Sequence, residues 1–202
     1  MEIRGRRNLR VHRSHPTGGW NRQGDHAMTK NTATSTSALL ANEAGYDPIE
    51  DRLRQIARAI EAAAKCIQGP IVLAGHSAGG HLVARMRCSD VALDVADRVQ
   101  RIMPISPLSD LRPLLQTKMN ETLCMDMAEA VAESPLLCKD LRNIPTHVWV
   151  GANERPAFLD QARWLADGWP DTQLTIAPNR HHFDVIDDLA EPDSEMVKAL
   201  LA

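Results

Sequence analysis

The stretch Ile71-Val-Leu-Ala-Gly-His-Ser77-Ala-Gly-Gly-His-Leu-Val-Ala-Arg-Met86 limits what this chain can fold into more than any other. Residues 71–74 are apolar, partly β-branched and bounded by Gly69-Pro70, so they read as a buried strand too short for a helix. Further on, Leu82, Val83 and Met86 recur at helical spacing, which predicts a helix running to about Cys88. Between the two stands Gly75-His76-Ser77-Ala78-Gly79, a G-x-S-x-G pattern in the strand–turn–helix setting of a nucleophile elbow. A serine forced into a strained turn needs neighbours without side chains, so that its Oγ stands free above the sheet. The competing reading is a glycine-rich turn whose serine merely caps the next helix. The chain's own composition gives only about 0.03 chance matches, and both flanking elements are present.

The rest of the pattern alternates strands with helices. One apolar stripe (Ile49, Leu53, Ile56, Ile60, Ala63, Ala64, Ile67) predicts a helix over 49–67, ended by Gly69-Pro70. Strands are expected at 99–105, 146–150 and 172–176, and helices at 157–169, 183–189 and 196–201. Residues 106–135 read as a loop with short helices near 111–115 and 125–131, a cap or lid element. This order argues a mostly parallel α/β sheet with flanking helices.

Charge divides the chain. Residues 1–40 carry net +5 and residues 41–202 net −8. Segment 1–41, with Arg4, Arg6, Arg7, Arg10 and Arg13, is expected to be a basic, irregular or disordered tail, favoured over the mitochondrial targeting peptide it mimics. Residues 42–202 form the core domain. The net charge of −3 gives no general pull toward nucleic acid or a membrane surface. No apolar run approaches the ~18 residues of a membrane span, and no signal-peptide core is expected at the start. Cys66, Cys88, Cys124 and Cys138 show no C-x-x-C or paired spacing, which points to reduced thiols, a cytoplasmic setting and no metal. The expected partner is a small-molecule substrate, without cofactor, nucleic acid or membrane, and a homodimer stays open.

A serine hydroxyl needs a base to take its proton and an acid to orient that base. In an elbow of this kind the acid follows the serine and the histidine comes last. Downstream of the elbow helix lie only His147, His181 and His182. His147 sits in a strand, where a structural role fits. His181 and His182 sit in the loop after the last strand, and His182, whose neighbour Phe183 is expected to pack and fix the loop, is the chosen base. Glu154 lies just past the 146–150 strand, at the carboxyl edge where α/β sites gather. It is the preferred acid over Asp110, while Asp160 falls inside the following helix. His76 and Phe183 are expected to contact substrate.

Gly75-His-Ser-Ala-Gly-Gly-His-Leu82 resembles the elbow of the kynurenine formamidase (arylformamidase) branch of the α/β hydrolases, close to the hormone-sensitive-lipase-type esterases. Ile105-Ser-Pro-Leu-Ser-Asp-Leu-Arg-Pro-Leu-Leu115, with Asn120 and Ala132-Glu-Ser-Pro135, is similar to that branch's segment after the next strand. Val150-Gly-Ala-Asn-Glu154, Phe158 and Gln161 resemble its acid loop, and His181-His182-Phe183 its histidine loop. The resemblance runs from about Tyr46 to Leu201 and implies an α/β-hydrolase fold with Ser77, Glu154 and His182 as the triad. It implies cleavage of an N-formyl aryl amide, with the Ala78 N–H as one oxyanion donor. In such relatives an H-G-G-x-W-type loop supplies the other donors. Here His15-Pro-Thr-Gly-Gly-Trp20 stands in a distorted form of it, with Gly18 and Gly19 as the counterparts. The N-terminal strands are accordingly expected to be missing or degenerate, as in a truncated or frame-altered product. Two alternatives accompany the formamidase reading: a carboxylesterase on small acyl esters, and an inactive remnant or non-catalytic binding module.

Overall fold

The computed structural model describes residues 48–202. The expectations for 1–41, the Gly18-Gly19 loop among them, lie outside the described residues.

Helix α1 (Ile49–Cys66) buries Leu53, Ala57 and Ala64 and lays Ile49, Ile56, Ile60 and Ile67 against the same core. Acidic Glu50 and Asp51 occupy its first turn, where the helix dipole favours them. At its other end, the Arg98 guanidinium donates to the carbonyls of Ala64 (2.7 Å), Ile67 (2.8 Å) and Gly69 (2.9 Å). One side chain thereby satisfies acceptors that a helix terminus leaves without partners. Strand β1 (Ile71–His76) runs into helix α2 (Ala78–Arg85) through Ser77 alone.

Strands β2 (Val99–Ile105), β3 (Thr146–Gly151) and β4 (Thr172–Ala177) complete a parallel sheet in the order β1-β2-β3-β4. Helix α5 (Pro156–Gly168) crosses between β3 and β4, and α6 (Glu195–Leu201) ends the described chain. Between β2 and β3 come a short 3-10 turn (Arg112–Gln116) and helices α3 (Asn120–Leu123) and α4 (Met127–Ala132). These gather Leu111, Leu123, Met125 and Ala130 into a small core of their own.

Side-chain alternation sorts the sheet into two faces. Ile102, Val148 and Val150 meet α1, α2 and α5, while Met103, Ile105, Trp149 and Ala177 meet Val185 and Met196. All six residues of β3 are buried, as a central parallel strand requires. β1 departs from expectation. Val72 and Ala74 are exposed, because among the described residues this strand pairs along one edge only.

A second departure concerns the helix expected over 183–189. The chain makes turns there and then a 3-10 segment, Asp187–Ala190. Leu189 N–H bonds back to Ile186 O at 3.0 Å, and the Asp184 carboxylate is drawn aside to accept from His181 N–H at 2.6 Å. Three carboxylates (Asp184, Asp187, Asp188) and two β-branched residues within five positions disfavour a regular helix.

Candidate active site

Each strand delivers one residue to a common point beyond its carboxyl end. Ser77 follows β1, Ser106 follows β2, Glu154 lies three residues past β3 and His182 five past β4. Ser77 has φ 56°, a left-handed conformation that a non-glycine residue holds only when its surroundings enforce it. Its N–H donates to Ile105 O at 2.8 Å, fastening the turn to the end of β2. Gly75 makes the tightness possible, since a Cβ there would lie 2.2 Å from Gly79 O.

His182 Nε2 lies 3.1 Å from Ser77 Oγ, and His182 Nδ1 lies 2.7 Å from Glu154 Oε2. With Nδ1 donating to the carboxylate, Nε2 is left as an acceptor facing the hydroxyl. The other carboxylate oxygen accepts from Gly151 N–H (2.9 Å) and from the hydroxyl of Ser106. Burial by itself raises the Glu154 pKa. The hydrogen bonds from His182, Ser106 and Gly151 outweigh it and hold the carboxyl below its ordinary value. Ser106 is fully buried and also carries a positive φ, 46°.

The His182 ring is flanked by Phe158 (centroids 4.1 Å apart) and His76 (4.6 Å). Burial, reinforced by the neighbouring His182, lowers the His76 pKa and favours its neutral form. Its Nε2 is buried and has no hydrogen-bond partner among the described residues.

The model of the serine hydrolase family matches residues 17–196. The chain belongs to the serine hydrolase family. It is 31% identical to a kynurenine formamidase of Salmo salar over 142 residues, 65% of this chain and 48% of that protein. A kynurenine formamidase of Danio rerio is 28% identical over 141 residues, with the same coverage. The chain thus spans about half the length of the curated relatives it matches. A crystal structure of a candidate thioesterase from Silicibacter sp. TM1040 is 52% identical and superposes with a TM-score of 0.74, covering 77% of this chain and 60% of that one. A thermophilic esterase of Thermogutta terrifontis with bound butyrate shares the fold at 19% identity and a TM-score of 0.55, covering 75% and 64%. The serine hydrolase chain has the α/β-hydrolase fold.

Other candidate residues fall elsewhere in this serine hydrolase. Asp110 is held by the Arg112 guanidinium at 2.6 and 2.9 Å, and that pairing lowers its pKa. His181 faces Asp184 at 3.2 Å, and Asp160 pairs with Arg163 on the surface. His147 donates to or accepts from Thr175 Oγ1 at 2.8 Å, in the sheet. Phe183 departs from expectation, because its side chain is 80% exposed and does not pack the loop in place. The ring nearest His182 is that of Phe158, which belongs to the segment that resembles the acid loop. Ser106 was also missed as a partner of Glu154. Its signals were its position immediately after a predicted strand, the same position Ser77 holds, and its place in the Ile105–Leu115 segment that carries the resemblance.

Proposed function

We propose that this serine hydrolase removes a small acyl or formyl group, with N-formylkynurenine, cleaved to kynurenine and formate, as its leading substrate. The observation that carries this reading is the unbroken hydrogen-bond chain from Ser77 Oγ through both His182 nitrogens to Glu154. Ser77 Oγ attacks the formyl carbon while His182 Nε2 takes its proton. The oxyanion meets the N–H of Ala78, the first residue of α2, where a helix leaves its N–H groups without intrahelical acceptors. As the C–N bond breaks, His182 returns the proton to the departing amine, and a water repeats the cycle to release formate. Glu154 keeps Nδ1 protonated and stabilises the imidazolium. Ser106 acts through Glu154 as a positioning residue. The aryl part of the substrate is assigned to the aromatic rim made by Phe158 and the exposed Phe183, with His76 contacting the same ligand.

A second reading, hydrolysis of small acyl esters or thioesters, is favoured by the 52% identity to the candidate thioesterase. The same three residues would serve it. The test is labelling with a fluorophosphonate probe, followed by formate release from N-formylkynurenine measured beside p-nitrophenyl ester and acyl thioester turnover. Labelling that disappears in Ser77→Ala, with preferential formate release, supports the formamidase reading. Faster ester or thioester turnover selects the second one. A folded protein that the probe does not label overturns both.

A further inference from the structure

We propose that Cys88 and Cys138 form a peroxide-oxidisable thiol pair whose product is an intramolecular disulfide. All four cysteines are free, and the fold brings these two together across an interval of about 50 residues that no spacing rule links. Their sulfur atoms lie within 4.8 Å of each other. The backbones that carry them are already stitched. Cys88 makes an isolated antiparallel bridge with Leu141, Ser89 N–H donates to Asp140 O at 2.9 Å, and Arg142 N–H donates to Arg87 O at 2.8 Å. The Arg142 guanidinium adds hydrogen bonds to the carbonyls of Met86, Cys88 and Val91. Closing the sulfurs to the ~2.05 Å of a disulfide therefore asks for side-chain rotation rather than for two segments to meet.

Access is asymmetric, as a sensor and its resolving partner require. Cys138 borders an open hollow with Ser89, Asp90, Lys139 and Asp140, whereas Cys88 is fully buried. The Cys138 thiolate attacks one oxygen of hydrogen peroxide, giving a sulfenic acid and hydroxide, which leaves as water with the thiol proton. Cys88 sulfur then attacks the sulfenic sulfur and expels its oxygen as a second water, which carries off the Cys88 proton. Two thiols are oxidised by two electrons, and one peroxide is reduced to two waters.

Asp90 stands close enough to make a three-donor metal group with the two sulfurs, but its carboxylate is engaged by the Arg85 guanidinium at 2.7 and 3.1 Å. That fixed positive charge beside Cys88 opposes a second cation.

The full chain is treated with stoichiometric hydrogen peroxide, capped with N-ethylmaleimide, digested and read by mass spectrometry. The expected result is a linked peptide pair carrying Cys88 and Cys138, with Cys66 and Cys124 capped. The oxidised protein should melt higher by on the order of 5 °C, reversibly with dithiothreitol. Cys138→Ser should abolish both the link and the shift, and Cys66→Ser should leave both in place. Four results would overturn the proposal: links running through Cys66 or Cys124, Cys138 halting at sulfinic acid in the unaltered chain, no oxidation of Cys138 at all, or one equivalent of Zn(II) held by the reduced protein and released by Cys138→Ser.

Discussion

His81 offers a measurement in which the fold's packing shows itself as a pH dependence. It lies in α2, four residues past the nucleophile candidate, with only 4% of its surface exposed. Its Nε2 lies 2.7 Å from Glu133 O, and the Arg85 guanidinium sits one helical turn further along. Burial drives its pKa down to about 4, with the Arg85 charge adding to the effect and the carbonyl contact opposing it. In the unfolded chain the same imidazole titrates near 6.5. Above that value both states are neutral, and the contribution to stability is complete. As pH falls, the unfolded state takes up a proton that the folded state refuses until about 4, so stability is lost across that window. At about 1.36 kcal/mol per pH unit, the loss between about pH 7.5 and about pH 4.5 comes to roughly 2.5 kcal/mol.

The perturbation is His81→Gln, which keeps an N–H able to reach Glu133 O and removes the titration. Urea unfolding, followed by fluorescence of the buried Trp149 and Trp169, gives the stability of both proteins at the two pH values. His76 and His147, also lowered by burial, and Glu133, raised by it, titrate in the same window. They are present in both proteins and drop out of the difference. The wild type should lose about 2.5 kcal/mol more than the variant on acidification. Equal losses would refute the reasoning, because His81 would then be charged within the fold or free to escape from it.

Three further outcomes follow from contacts already described. Ser106→Ala removes a hydroxyl donor to a charged acceptor and should lower kcat/KM about ten- to a hundredfold with little change in unfolding midpoint. Gly151→Ala places a Cβ 2.4 Å from Arg180 O and should displace the histidine loop, costing about 1–3 kcal/mol in urea unfolding together with a loss of turnover. Arg87→Leu strips donors from the hydroxyls of Thr146 and Thr172 and from the carbonyls of Pro170 and Arg142, and should cost roughly 3 kcal/mol in the same assay.

What could be read from the chain was what local chemistry determines. Val148-Trp-Val150 is apolar and every residue of Thr146–Gly151 is buried because a central parallel strand is covered on both faces, and Gly75 is dictated by its crowding against Gly79, four residues on. The fold brings Ser77, Glu154 and His182 into hydrogen-bond contact, and their position just past strands marked them as candidates. What stayed hidden depends on which strands lie side by side. The contact of Ser106 with Glu154 exists because β2 neighbours β3, and nothing in Ile105-Ser-Pro announces that adjacency. The approach of Cys88 to Cys138 depends on a single antiparallel bridge. Phe183 misled for a different reason. An aromatic residue beside a histidine suggested packing, while Phe158, at core spacing on α5, took that position against the ring.

The sheet order also explains why so few residues suffice to assemble the site. Ser77, Ser106, Glu154 and His182 follow β1, β2, β3 and β4 in turn, so chain order and spatial order coincide. That arrangement has a geometric cost. Three strand spacings of about 4.8 Å put the ends of β1 and β4 roughly 14 Å apart, farther than the side chains of Ser77 and His182 reach together. The chain after β4 must therefore double back over β3. It does so at Gly151, where a Cβ would lie 2.4 Å from Arg180 O and 3.2 Å from His181 N. Hydrogen bonds from Ala152 N–H to Ala177 O and from Asn153 N–H to Arg180 O, both 2.8 Å, hold the crossing in place. The loop that carries Glu154 is thus also the surface that carries the His182 backbone. Glu154 and His182 are positioned by one shared crossing rather than by two independent loops, so a substitution there moves both at once.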